Sequence, residues 1–189
     1  MRTNLRHDGP EERLLGVADR LFYEQGYVRT GINQIIAEAG VAKASFYDHF
    51  PSKEHLALAY LDKRHQEWFD SLRGFVENEA NPKKRISRLF DYLETWLAAV
   101  NFRGCAFLNM ASEFPPATGP TVRARIVQHK AELRTYIRQL VAQARGGPAK
   151  GIADAVLVLF EGAIIETQVT ADPWPIAAAR TASIRLLTG

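Results

Sequence analysis

Gly40 divides the most constraining stretch of this chain, residues 26 to 55, into two short apolar-periodic pieces. Upstream, Ile32, Ile35 and Ile36 recur at helical spacing after Thr30 and Gly31, which predicts an amphipathic helix of about two turns. Gly40 stands where a left-handed residue ends such a helix. Val41 to Ala44 then lead to Ser45, expected as the N-cap of a second segment, Phe46 to Phe50, closed by Pro51. Two short helices joined by so tight a connection outline a helix-turn-helix.

In the second segment Phe46 and Phe50, four apart, can bury one face. Tyr47, Asp48 and His49 must then point elsewhere, with Lys43 and Ser45 before them and Lys53 after. Such groups suit phosphate and base-edge contact. Composition alone leaves a second reading open, a surface helix whose Tyr and His are partly buried.

The run AGVAKASFYDHFPSKEHL is similar to the DNA-binding signature of the tetracycline-repressor (TetR) family. There a Gly-Val turn leads to a helix bearing Tyr-x-His-Phe, followed by a Ser/Thr-Lys-Glu helix start. Gly40, Val41, Lys43, Tyr47, His49, Phe50, Lys53 and Glu54 fall in register, and the similarity covers roughly residues 10 to 60. The resemblance implies phosphate contacts from Tyr47, His49 and Lys53. It also implies base-edge or nearby contacts from Lys43, Ala44 and Ser45, and backbone positioning by Thr30. Three departures stand out. Gly31 replaces a frequent second hydroxyl residue, Ala42 and Ala44 replace frequent Ser and Gly, and Asp48 adds a carboxylate that can accept from a cytosine amino group or face away.

Bulk charge does not locate this surface. The formal net charge is +3, yet residues 1 to 60 hold seven Lys/Arg against eight Asp/Glu. Phosphate binding depends on local cations instead. Arg2 and Arg6 in an N-terminal arm, Arg29, Lys43 and Lys53 are the candidates, although the arm reads equally as an end without a role. At 189 residues and 47% hydrophobic, the chain is long enough for a small domain joined to a larger one. No apolar run reaches the roughly 18 residues of a membrane span. The first residues lack the apolar core of a signal peptide, so a cytoplasmic location is expected. The single Cys105 fits that compartment.

Around the central stretch the expected elements are all helices. Pro10, Glu11 and Glu12 open one with a stripe of Leu14, Val17, Ala18, Leu21 and Phe22 up to Gly26. Lys53 and Glu54 open a long one to about Glu79 that carries two apolar groups, as a rod joining two cores would. Asn81 and Pro82 start the next, to about Val100. A short helix follows Gly104, then one from Thr121 to about Arg145, one over residues 149 to 171 and a last over 174 to 187. The Gly-Cys-x-Phe-x-Asn run near Cys105 also resembles a subset of TetR-family regulators. The expected fold is all-α, about nine helices. The resemblance implies that residues 1–52 form an arm and a three-helix helix-turn-helix domain, and residues 53–189 a helical effector-binding and dimerisation domain.

IADAVLVLFEGAIIE, in the penultimate helix, is apolar on nearly all sides and needs cover from something besides its own domain. The family resemblance implies a homodimer through the last two helices; a monomeric core is the alternative.

Catalytic and metal chemistry find no support. The five histidines make no H-E-x-x-H pair, and there is no phosphate loop, dinucleotide fingerprint or G-x-S-x-G elbow. No catalytic residue, metal site or cofactor is expected. Cys105 reads as a buried structural thiol, with redox sensing as the rival. The C-terminal part carries an excess of large soft side chains, Trp68, Trp96, Phe107, Met110 and Phe160 among them, with Asn109 and Glu113 as polar anchors. These seven are the candidate ligand-binding residues for a small-molecule effector, although aromatics at helical spacing serve cores as readily. The resemblance therefore implies a ligand-responsive, operator-binding homodimer. The rival is a dimeric helical binding protein that has lost DNA binding, suggested by Asp48 and the net charge of residues 1 to 60.

Overall fold

The structure, a computed structural model, describes residues 9–98, 102–114 and 119–188. The N-terminal arm with Arg2 and Arg6 lies outside them, as does the end proposed at Val100. Among the described residues there are nine helices and no strand: α1 Pro10–Gln25, α2 Ile32–Ala39, α3 Lys43–His49, α4 Lys53–Glu77, α5 Pro82–Leu97, α6 Ala106–Glu113, α7 Pro120–Arg145, α8 Lys150–Thr170 and α9 Trp174–Thr188. None is long and apolar enough to cross a membrane.

The helix ends follow local chemistry. Pro10 occupies the first position of α1, and the Glu12 carboxylate accepts from the Gly9 N–H at 3.0 Å. Asn81 caps α5 by accepting from the Lys83 N–H at 3.0 Å, with Pro82 behind it. Gly40 ends α2 at φ 63°, ψ 41°. Its N–H bonds the Ala37 carbonyl, and the Val41 N–H reaches back to Ile36, which is the Schellman pattern.

The chain divides into two compact units, Met1–His65 with Ala106–Ile126, and Gln66–Cys105 with Val127–Gly189. The divisions fall inside α4 and α7 and again at the start of α6. In the first unit Leu14, Leu21, Ile35, Phe46, Leu56 and Leu61 are fully buried, so α1 to α4 share one apolar centre. Burying side chains of this size contributes about 1.5–3 kcal/mol each. In the second unit Leu72, Val76, Ile86, Leu89, Phe90, Ile137, Val156 and Phe160 do the same for α4, α5, α7 and α8. The Phe90 and Phe160 rings meet edge to face, 5.9 Å apart. Helix α4 thus contributes side chains to both cores.

Ion pairs tie the outer helices of the second unit together. Arg180 on α9 pairs with Glu94 on α5, and Lys130 on α7 pairs with Glu161 on α8 at 2.7 Å. Asp154 on α8 receives Arg134 at 2.6 Å and Arg138 at 2.8 Å, one turn apart on α7. The charge-assisted bonds from Arg134 and then Arg138 hold its carboxyl well below the ordinary carboxylate range.

Candidate nucleic-acid interface

Helix α3 is anchored by two rings and exposes most of what lies between them. Phe46 and Phe50 are buried with centroids 6.2 Å apart, on the face turned to α1 and α2. Lys43, Ala44, Asp48 and His49 are exposed, Ser45 is half-buried, and Tyr47 keeps 45% of its surface open while its ring stands edge-on to Phe46. Ser45 is not the N-cap expected from its side chain. Ala42, extended at φ −72°, ψ 149°, precedes the first helical residue, so Lys43, Ala44 and Ser45 form the first turn of α3. The turn set by Gly40 and Val41 fixes where the helix starts, and this overrides the capping preference of a serine three residues later.

Thr30, expected to position backbone, has its side chain turned fully inward. It has no solvent exposure, and the hydroxyl lies 2.7 Å from the Gly26 carbonyl oxygen and 3.3 Å from that of Leu21. It positions backbone from within, locking the end of α1 to the start of α2.

His49 Nδ1 stands 3.7 Å from a carboxylate oxygen of Glu11, so α1 sets an acidic neighbour beside α3. Lys53, at the first position of α4, lays its Nζ over the Tyr27 ring, 4.0 Å from the centroid. Partial burial lowers the affinity of this amine for its proton, and attraction to Glu113 opposes that change. Tyr27 in turn packs against Phe22 at 5.5 Å and Phe114 at 4.4 Å. Its phenol is pushed up by desolvation and, secondarily, by the Glu54 charge.

The seven candidate ligand-binding residues divide between the units. Phe107, Asn109, Met110 and Glu113 lie on α6 in the first unit, with Phe107 and Met110 buried and Asn109 half-buried. The Glu113 carboxylate accepts from the Val28 N–H at 2.6 Å. Trp68, Trp96 and Phe160 belong to the second unit. There Trp68 is ringed by Phe69 at 5.2 Å, His129 at 5.5 Å, Trp96 at 5.9 Å and Tyr92 at 6.1 Å, and its indole N–H is buried without a hydrogen-bond partner. Cys105, buried, has the Lys130 Nζ 3.9 Å from its sulfur. The sequence reading missed Tyr27 and the contact of Glu113 with the 26–28 turn. Gly26 offered the one local signal, a residue free to take positive φ beside an aromatic.

Comparison with known proteins decides what kind of molecule carries this surface. Residues 14–60 match the family model for bacterial regulatory proteins of the tetR family. Residues 82–183, more than half the chain, match the tetracyclin repressor-like C-terminal domain. The chain belongs to the TetR family. It is a helix-turn-helix transcriptional regulator, a class distinct from enzymes. The HTH-type transcriptional regulator LmrA of Bacillus subtilis is 27% identical over 171 residues, covering 87% of this chain and 89% of that protein. The HTH-type transcriptional repressor DhaR of a Mycobacterium species is 24% identical over 174 residues, 87% of this chain and 85% of that one. Among solved structures, a TetR-family transcriptional regulator from Streptomyces coelicolor superposes with a TM-score of 0.84 at 28% identity, over 95% of this chain and 94% of that one.

Proposed function

We propose that this TetR-family regulator is a homodimeric repressor that leaves a near-palindromic operator when a small molecule binds. The observation that carries the reading is α3, a helix whose two Phe are buried while Lys43, Ala44, Tyr47 and His49 face solvent. With Ser45 and Lys53 they make up the surface assigned to DNA, Tyr47, His49 and Lys53 to phosphates and the first turn of α3 to base edges. Thr30 serves it indirectly by fixing the α1–α2 connection. Two such helices, one per subunit, would enter successive major grooves about 34–36 Å apart.

The apolar residues left open on the last two helices support dimerisation. Val158 and Val169 on α8 keep 70% and 76% of their surface exposed, with Ile165 on α8 and Ile184 on α9 also open. Apolar groups concentrated on one helix pair favour a second copy as cover. In this reading residues 1–52 bind DNA, residues 53–189 respond to effector and dimerise, and the protein works in the cytoplasm. The unpaired Trp68 indole N–H among aromatic rings favours an effector that is flat and carries a hydrogen-bond acceptor. Its coupling to DNA would be of the usual allosteric size, about 1–3 kcal/mol.

The test is an anisotropy titration of the purified protein against the DNA flanking its own gene at two salt concentrations. Saturable binding that prefers this DNA and weakens with salt is expected. Binding absent at both salts, from a dimeric and ligand-free protein, would overturn the reading in favour of a helical carrier.

A further inference from the structure

The end of α6 meets the α1–α2 connection through two consecutive residues, Glu113 and Phe114. Glu113 accepts a hydrogen bond from the Val28 N–H at 2.6 Å, across 85 residues of chain. Phe114 stacks on Tyr27, 4.4 Å between centroids. The turn is shaped to admit the carboxylate, because Gly26 lies at φ 90° and a Cβ there would stand 2.5 Å from Glu113 Oε1. Tyr27 is also the platform on which the Lys53 ammonium rests. One acidic side chain therefore meets the backbone of the α1–α2 connection at Val28, the residue after the ring that carries the Lys53 ammonium.

We propose that Glu113 is a positioning residue for the DNA-binding surface: it pins the 26–28 turn and, as a counter-charge to Lys53, limits how much of that ammonium's charge reaches DNA. The inference rests on the DNA-binding reading above. A carboxylate and a phosphate compete for the same cation, so the charge on Glu113 weakens every DNA complex alike and leaves base readout to α3.

Glu113→Gln separates the two tasks, since the amide oxygen can still accept from Val28 while the charge is gone. Anisotropy against operator and unrelated DNA over a salt series should show affinity raised ~3- to 10-fold on both. The slope of log K against log salt should steepen by a fraction of the ~0.9 that one full phosphate contact carries. In a Lys53→Ala background the same substitution should change neither. Unchanged affinity and slope, or an equal effect with Lys53 removed, overturns the proposal. If Glu113→Gln fails to fold, the native chain still decides: Lys53→Gln should cost less of the salt slope than the ~0.9 of one full phosphate contact, and a loss of the full ~0.9 overturns it. A wild-type protein that binds no DNA defeats the underlying reading, whereas wild-type binding with an indifferent Glu113→Gln defeats this inference alone.

Discussion

The Thr30 hydroxyl donates to the Gly26 carbonyl oxygen at 2.7 Å from a side chain with no solvent exposure. Thr30→Val keeps the shape and removes the donor, leaving a buried carbonyl short of a partner. The expected cost is about 1–3 kcal/mol in denaturant unfolding. DNA affinity per folded molecule should hold, because the hydroxyl does not face outward. A large affinity loss with unchanged stability would instead assign the hydroxyl a direct role in DNA contact.

Tyr47 presents the opposite balance, a ring against Phe46 with its surface 45% open. Tyr47→Phe should leave the thermal midpoint in place and weaken binding to all DNA sequences by ~5-fold, the worth of one hydrogen bond of about 1 kcal/mol. Equal affinity for the two proteins removes Tyr47 from the interface.

For the subunit interface the informative position is Val158, exposed on α8 and outside both cores. If α8 and α9 form the proposed dimer, the native chain should sediment as a dimer and Val158→Glu should fold as a monomer. Since ordered dimers bind two half-sites, operator affinity should fall with it. A variant still dimeric at micromolar concentration places the interface elsewhere.

Ala171 follows α8 at φ 54°, ψ 30°, the single non-glycine residue with positive φ among those described. It is exposed, so no packing depends on its methyl. Ala171→Gly should stabilise the protein by about 1 kcal/mol, read as a raised denaturation midpoint. Destabilisation would mean that glycine's freedom in the unfolded chain outweighs the relieved strain.

Asp154 sets part of the acid response. Its carboxyl titrates lower in the folded protein than in the unfolded chain because Arg134 and Arg138 hold it ionised. Where the unfolded chain binds the extra proton, stability rises with pH, so this contribution is complete above the unfolded value of about 4 and fades below it. Asp154→Asn should be less stable than the native protein at neutral pH, with the gap closing as pH drops from about 4 toward 2. A gap that stays constant over that range would assign the loss to packing.

Much of this was legible from residue spacing. The isoleucine and phenylalanine patterns around Gly40 gave α2 and the buried face of α3, and Asn81-Pro82 gave the start of α5. What local spacing could not carry were contacts across long stretches of chain. Nothing near Glu113 in sequence reveals its bond to Val28, 85 residues away. Phe107 and Met110 were grouped with Trp68 and Trp96 by composition, yet they pack in the other unit. Ser45 misled for a smaller reason. A capping side chain is a preference of tenths to about 2 kcal/mol, and a turn dictated by Gly40 is a geometric constraint.

Helix α3 has seven residues, and neither it nor α2 has a side-chain hydrogen bond at its N-cap. A segment that short is a poor helix on its own, since nucleation alone outweighs what so few backbone bonds return. Its shape is borrowed from the burial of Phe46 and Phe50, so the reading head lasts only as long as the pocket that receives those rings. Hydrogen exchange should therefore find the α3 amides opening together with the core of the first unit. Warming that loosens this core would disorder α3 with it.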